Sequence, residues 1–113
     1  MSRLRIIDDI IELAPIVEGL ARDIGRHSPE LAKQIRRAWP SVLCNAGESL
    51  HRMGRKNINR LDDAMGEARE THCALRYGMA CGFVSDGDGA ARALDRIDKV
   101  TATLYKLAHQ PRG

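Results

Sequence analysis

Aromatic side chains are scarce in this chain. Its 113 residues include one tryptophan, one phenylalanine and two tyrosines. Modules that bind single-stranded nucleic acid by stacking bases need aromatic platforms, so the composition argues against that class. The three cysteines lack the spacing of a disulfide framework, and we expect free thiols in a reducing compartment.

Long apolar runs are missing as well. No segment approaches the roughly 18 apolar residues of a membrane span. Acidic residues stand near the N-terminus, where a secretory signal needs an apolar stretch. We therefore expect a cytoplasmic protein that makes no membrane contact. The length predicts one domain over residues 1–113, and 43% hydrophobic residues are enough for a core.

Four segments show helical periodicity, and nothing alternates as a strand does. The first runs from about Leu4 to Gly25, and the second follows the N-cap Ser28 and ends at Gly54. The third runs from near Asn57 to Gly82, and the fourth follows the 85–89 loop until Pro111 and Gly113. Short connections between amphipathic helices predict an all-α, antiparallel up-down-up-down four-helix bundle.

The first two segments contain large apolar residues that lie outside their predicted apolar stripes. The first stripe is Ile7, Ile10, Ile11, Ala14, Val17, Ala21 and Ile24, and the second ends at Met53. Outside these stripes remain Ile6, Leu13, Ile16, Leu20, Trp39 and Leu43. Apolar residues beyond one bundle interior predict self-association. Pro15 is expected to kink its helix or to start a new one, and Pro40 is expected to bend its helix.

One central segment carries the excess positive charge. Residues 31–60 hold seven basic residues and one acidic residue, whereas residues 1–30 and 61–113 have net charges of −2 and −1. The densest part is 51–60, with four basic residues and no acid, on a predicted turn between helices. Such a segment attracts polyanions without sequence choice. The alternative is a solvated helix face.

The candidate nucleic-acid contacts are therefore the basic residues of the second helix and the following turn. They are Arg36, Arg37, Arg52, Arg55, Lys56 and Arg60. A second cluster is polar. Glu48 and Glu70 fall close to apolar stripes, so each needs a partner, and Arg36, Arg37 and Asn45 are candidates. We interpret Asn45, Glu48 and Glu70 as a structural polar network.

No catalytic or metal constellation is complete. Glu48 and His51 have the Glu-x-x-His spacing of di-iron bundles, but a second copy is missing. Cys44, Cys73 and Cys81 lack zinc spacing and are expected to be small buried thiols. The Asp86-Gly87-Asp88-Gly89 loop lacks the remaining calcium ligands and is explained by an N-cap at Ser85 or Asp86. We predict no enzyme activity and no cofactor.

The second and third segments resemble a known family. Gln34-Ile35-Arg36-Arg37-Ala38 is followed by Ser41, Asn45 and Glu48, and then by Ala64-Met65-Gly66-Glu67-Ala68-Arg69-Glu70 with Leu75 and Gly82 in step. This pattern resembles the bacterial four helix bundle protein family, which includes proteins encoded in intervening sequences of ribosomal RNA genes. It is also similar to accessory variability proteins of diversity-generating retroelements. The chain departs from the pattern at Leu43, where the family has proline, and at Glu67, where it has a small residue.

The resemblance implies a homo-oligomer, with a pentameric ring as the described arrangement. In the retroelement branch it implies DNA or RNA and a reverse transcriptase as partners. Together with the basic segment, this favours a non-enzymatic accessory protein that binds nucleic acid. The alternative is a scaffold whose basic surface meets an acidic protein.

Overall fold

The computed structural model describes residues 3–52 and 54–110, which form four α-helices. They are α1 (Arg3–Gly25), α2 (Pro29–Ser49), α3 (Gly54–Ala80) and α4 (Gly87–Ala108). No strand occurs in these two ranges. The all-α prediction is confirmed. Met53, Pro111 and Gly113, which figured in the predicted stripe and helix end, lie outside the described residues.

Contacts between helices show that each helix runs antiparallel to the next. Near one end of the bundle Asn57 of α3 binds the carbonyl of Ser49 in α2. Along the sides, Arg36 of α2 pairs with Glu18 of α1, and His72 of α3 pairs with Asp98 of α4. α1 also packs against α4, so the four helices close into an up-down-up-down bundle with principal extents of 48 × 23 × 19 Å.

Local signals in the sequence explain two helix starts and one helix end. The Ser28 hydroxyl accepts from the Leu31 amide, and the Asp86 carboxylate accepts from the Gly89 amide at 2.9 Å, so each caps its helix. Gly82, with φ +76°, terminates α3 just beyond Ala80, where Phe83 donates to the Gly78 carbonyl and Gly82 donates to the Met79 carbonyl. This pair of bonds is the Schellman motif that favours glycine.

The α2–α3 boundary differs from the sequence prediction. α2 stops at Ser49 rather than at Gly54, and Gly54, with φ +61°, begins α3. The predicted turn over 51–60 is therefore mostly helix, because Arg55, Lys56 and Arg60 belong to the first two turns of α3. Gly54 therefore marks a helix boundary as predicted, but it begins α3 and does not end α2.

The apolar stripe predicted for α1 is too narrow and partly misplaced. Ile6, Leu13 and Leu20, expected outside the core, are buried, whereas Ile11 and Ala14 are exposed. α1 packs against both α2 and α4, so residues from two adjoining stripes enter the core. Trp39 is buried too, and Leu43 is half-buried. Most of the apolar surplus is therefore used within one chain.

Pro15 and Pro40 lie inside continuous helices, so of the two alternatives for Pro15 the start of a new helix is excluded. Both prolines are exposed, on the solvent side of their helices. There a missing amide leaves a carbonyl that water can reach, which limits the cost. Across residues 3–52 and 54–110, no helix combines the length and the apolar character needed to cross a membrane.

Candidate nucleic-acid interface

The antiparallel topology gathers basic side chains at one end of the bundle. Arg52 follows the last turn of α2, and Arg55, Lys56 and Arg60 follow within the first two turns of α3. Arg52, Arg55 and Lys56 are exposed, and Arg60 is half-buried. We call these four residues the basic end. Because α2 and α3 are joined there by a few residues, the four side chains share one local surface.

An open cleft of about 390 Å³ shows that three of these side chains are neighbours in space. Arg52, Lys56 and Arg60 line it together with Asn59 and Asp63. Three cations against one carboxylate give the cleft a positive potential, which a phosphate backbone would lower.

Ion pairing consumes little of the charge at the basic end. The Arg52 guanidinium contacts Glu48 at 2.6 Å, and Arg60 donates to the neutral Asn45 Oδ1 at 3.2 Å. Within the described ranges, Arg55 and Lys56 have no ion pair. The first turn of α3 also holds no acidic residue. Its cations therefore lie in the positive field of the helix N-terminus, which an external anion would offset.

Two further cations reach the same end, and the sequence reasoning missed them. Arg5 lies in the first turns of α1, and Lys106 lies in the last turn of α4. Both are exposed. Both lie in segments whose net charge is negative, so the net charge of each segment gives no sign that these two residues contribute to a basic surface. The up-down-up-down order predicted from sequence could have found them, because it places the start of α1 and the end of α4 beside the α2–α3 connection.

Arg36 and Arg37, the other two predicted contacts, lie away from the basic end. Arg36 pairs with Glu18 at 2.9 Å across the α1–α2 face. Arg37 pairs with Glu67 at 2.9 Å and with Glu70 at 2.6 Å across the α2–α3 face. These carboxylates raise the pKa of Arg37, and Arg37 in turn lowers the pKa of Glu70. The structure thus splits the six predicted residues into four at one end and two neutralised on the sides.

The predicted polar network also divides. Glu70 meets Arg37, one of its candidate partners, whereas Glu48 meets Arg52, which was not among them. Asn45 donates to the Ser41 carbonyl and accepts from Arg60. The carboxylates are half-exposed rather than set on the apolar stripes. Glu67, which stands at a small-residue position of the family pattern, extends the Arg37 pair.

Other candidate chemistry is not assembled. His51 lies beyond the end of α2 and is exposed, so Glu48 and His51 do not share a helix face. In the described part of the chain no three His, Cys, Asp or Glu side chains are placed to hold a metal ion. The prediction of buried thiols is wrong, since Cys44, Cys73 and Cys81 are all exposed. Cys44 and Cys73 lie off the faces that α2 and α3 turn to the core, and Cys81 lies in the turn after α3.

Comparison with known proteins gives one informative likeness. No family model matches the chain, and no curated protein matches it either. A crystal structure at 1.70 Å of a protein of unknown function from the S23 ribosomal protein family, from Bacteroides thetaiotaomicron VPI-5482, superposes with a TM-score of 0.81. It is 21% identical, and the match covers 93% of this chain and 99% of that one. The likeness shows that this four-helix architecture occurs in a solved protein of that family.

Proposed function

We propose that this protein is a non-enzymatic accessory protein that binds nucleic acid through its basic end and acts as a homo-oligomer. The observation that carries the proposal is the convergence of Arg52, Lys56 and Arg60 on one cleft, with Arg55 exposed on the adjacent helix turn. Contacts of this kind address phosphates and not base edges, so little sequence preference is expected. The family resemblance adds a reverse transcriptase as the candidate protein partner.

Self-association multiplies this surface. A single copy offers few phosphate contacts, but a ring presents one basic end per subunit and gains affinity through effective concentration. After the core is filled, large apolar residues still exposed in the described ranges are Ile11, Ile16, Tyr77 and Tyr105. Ile11 lies on α1, which supports α1 as part of the contact between copies.

The test is salt-dependent binding to labelled oligonucleotides, measured by fluorescence anisotropy with single-stranded DNA, duplex DNA and RNA. The basic-end variant replaces Arg52, Arg55, Lys56 and Arg60 with Gln. A matched control replaces the exposed Lys33, Arg69, Arg76 and Lys99 with Gln, so that both variants lose the same net charge. Circular dichroism checks that both remain folded.

We expect the basic-end variant to bind at least about tenfold more weakly, with a shallower salt slope, because each phosphate contact contributes about −0.9 to the slope on duplex DNA. The control variant should stay close to the parent. Equal losses in both variants would mean that net charge alone matters. A parent that binds none of the three polymers at low salt would overturn the proposal and leave the scaffold alternative.

A further inference from the structure

A second open cleft lies away from the basic end. It is a groove of about 650 Å³ between α1 and α4, towards the end of the bundle where α1 stops and α4 begins. Its size is in the range of small-molecule sites. Part of the lining is apolar and comes from Pro15, Ile16, Leu20 and Ala93. Gly19 lines it without a side chain, and an added Cβ there would meet no heavy atom within 4 Å.

Four arginines line this groove. Arg22 and Arg26 come from α1, and Arg92 and Arg96 come from α4. Each pair is spaced i, i+4, so its members lie one turn apart on the same helix face. Two contacts bridge the groove, from Asp23 to Ser85 and from Glu12 to Arg96. They set the register of the antiparallel helices, so Arg22 lies level with Asp86 and Arg92 lies level with Ile16. Arg22 and Arg92 are therefore staggered by about six residues, or roughly 9 Å, along the groove.

The acids in the groove offset part of this positive charge, but none of them forms an ion pair with Arg22 or Arg92. Asp23 accepts from the Ser85 amide at 2.7 Å and from its hydroxyl at 2.9 Å, and these bonds lower its pKa. Asp86 is occupied by the Gly89 amide. Asp23 also contacts Arg26, but at 3.8 Å, and Glu12 contacts Arg96 at 3.3 Å.

Two guanidinium groups therefore remain available. Across the described residues, Arg22 and Arg92 take part in no ion pair and no side-chain hydrogen bond. Both are exposed, and both line the groove from opposite helices. A guanidinium presents a planar fork of donors that matches phosphate oxygens, so two such groups staggered along one groove suit a ligand with more than one phosphate.

The charge pattern along the groove favours a compact ligand over a continuous strand. Glu12 lies beside Arg96 towards one end, and Asp86 and Asp88 lie at the other, where α4 begins. A polymer threading the groove would bring phosphates past these carboxylates, whereas a short polyphosphate fits between them. The apolar lining at Pro15 and Ile16 and the open space over Gly19 leave room for a flat ring beside the phosphates.

We propose that the α1–α4 groove binds a nucleoside di- or triphosphate. The phosphates lie between Arg22 and Arg92, and the base lies over Pro15, Ile16 and Gly19. This is a second anion site on a different part of the bundle from the basic end, and it does not depend on nucleic-acid binding.

The experiment titrates the full chain with ATP, tripolyphosphate and adenosine by calorimetry at low salt. Arg22→Gln with Arg92→Gln removes both unpaired guanidinium groups, and Arg69→Gln with Arg76→Gln is a control of equal charge on α3. Gly19→Phe fills the groove without changing any charge. We expect ATP to bind the parent more tightly than tripolyphosphate does, and adenosine to bind weakest.

ATP affinity should fall at least tenfold in the Arg22 and Arg92 variant and stay within about twofold in the control. Gly19→Phe should weaken ATP more than tripolyphosphate, since the base loses its space. The basic-end variant should bind ATP as the parent does, which separates failure here from failure of the proposed function. The proposal would be overturned if ATP did not bind the parent, or if the α3 control lost as much ATP affinity as the Arg22 and Arg92 variant. It would also be overturned if the Arg22 and Arg92 variant lost oligonucleotide binding and kept its ATP affinity.

Discussion

The indole Nε1 of Trp39 donates to the backbone carbonyl of Ile10 at 3.1 Å, which ties α2 to α1 inside the core. Trp39 is 3% exposed. Its side chain thus serves the packing of one chain and is not available to another copy or to a nucleic-acid base. The bond also satisfies the polar tip that a buried tryptophan must pair.

We expect Trp39→Phe to lower the free energy of unfolding by at least about 1 kcal/mol, because phenylalanine keeps one aromatic ring but lacks the Nε1–H donor and part of the buried indole volume. Trp39→Ala should cost about 3–5 kcal/mol through the cavity it leaves. Urea unfolding followed by circular dichroism measures both. Equal stability of the parent and Trp39→Phe would contradict the role of the bond.

Asn57 is a buried polar residue that closes the basic end. Its Nδ2 donates to the Ser49 carbonyl at 2.7 Å, at the C-terminus of α2. Asn57→Ala should destabilise by about 1–3 kcal/mol, because the buried Ser49 carbonyl loses its shorter hydrogen bond and keeps only the one from the Arg52 amide at 3.3 Å. Asn59→Ala, at an exposed position two residues on, should change stability by less than about 0.5 kcal/mol. Chemical denaturation of both variants tests this, and similar costs would contradict it.

Two glycines of α3 should respond in opposite ways to alanine. At Gly78 an added Cβ would lie 2.7 Å from Ile24 Cδ1 and 2.9 Å from its Cγ1, whereas at Gly66 it would meet nothing within 4 Å. Gly66→Ala should stabilise by about 0.5–1 kcal/mol through helix propensity. The free energy of unfolding of Gly78→Ala should be at least about 1 kcal/mol lower than that of Gly66→Ala, because Ile24 is fully buried and must shift. Thermal unfolding of the two variants measures which of them is more stable.

The Arg37–Glu70 pair should give a small, acid-sensitive contribution to stability. Arg37 lowers the pKa of Glu70 below the ordinary value of 4.5, so the contribution is present above that pH and is lost as the pH falls through the lowered pKa. Both side chains are substantially exposed, so the cost of Glu70→Gln at pH 7 should be less than about 1 kcal/mol. Unfolding measured between pH 7 and pH 3 should show the gap between parent and variant closing. A gap that widens with acid would refute this assignment.

Light scattering tests self-association. The chain mass is 12.5 kDa, and we expect a multiple of it at micromolar concentration. Ile11, which is 50% exposed on α1, is the residue to change, and Ile11→Gln should shift the mass towards the monomer without loss of helix content. A parent that stays monomeric would remove the homo-oligomer from the proposed function.

Helix identity, caps and order were predictable because the signals are local. Ser28, Asp86 and Gly82 act through bonds to residues within five positions, so their roles can be read from spacing. Gly54 shows the limit of such reading. A glycine with positive φ is compatible with either side of a turn, and only the position of the preceding helix decided that it begins α3.

The candidate site was predictable only in part. The density of positive charge over 51–60 identified Arg52, Arg55, Lys56 and Arg60 from sequence. Whether a cation is neutralised depends on residues far along the chain, as with Arg36 and Glu18 or Arg37 and Glu70. Arg22 and Arg92 could not be connected by any local rule, since seventy positions separate them and the net charge of each segment is negative.

The sequence by itself determined that this chain forms four capped, amphipathic helices in alternating directions, because periodicity and capping act within a few residues. Tertiary structure decided which faces are buried. α1 takes Ile6, Leu13 and Leu20 into the core because it contacts two neighbours at once, which no single-helix pattern encodes. The same packing decided which arginines are paired and which stay available, since each ion pair joins side chains that only the assembled bundle brings together.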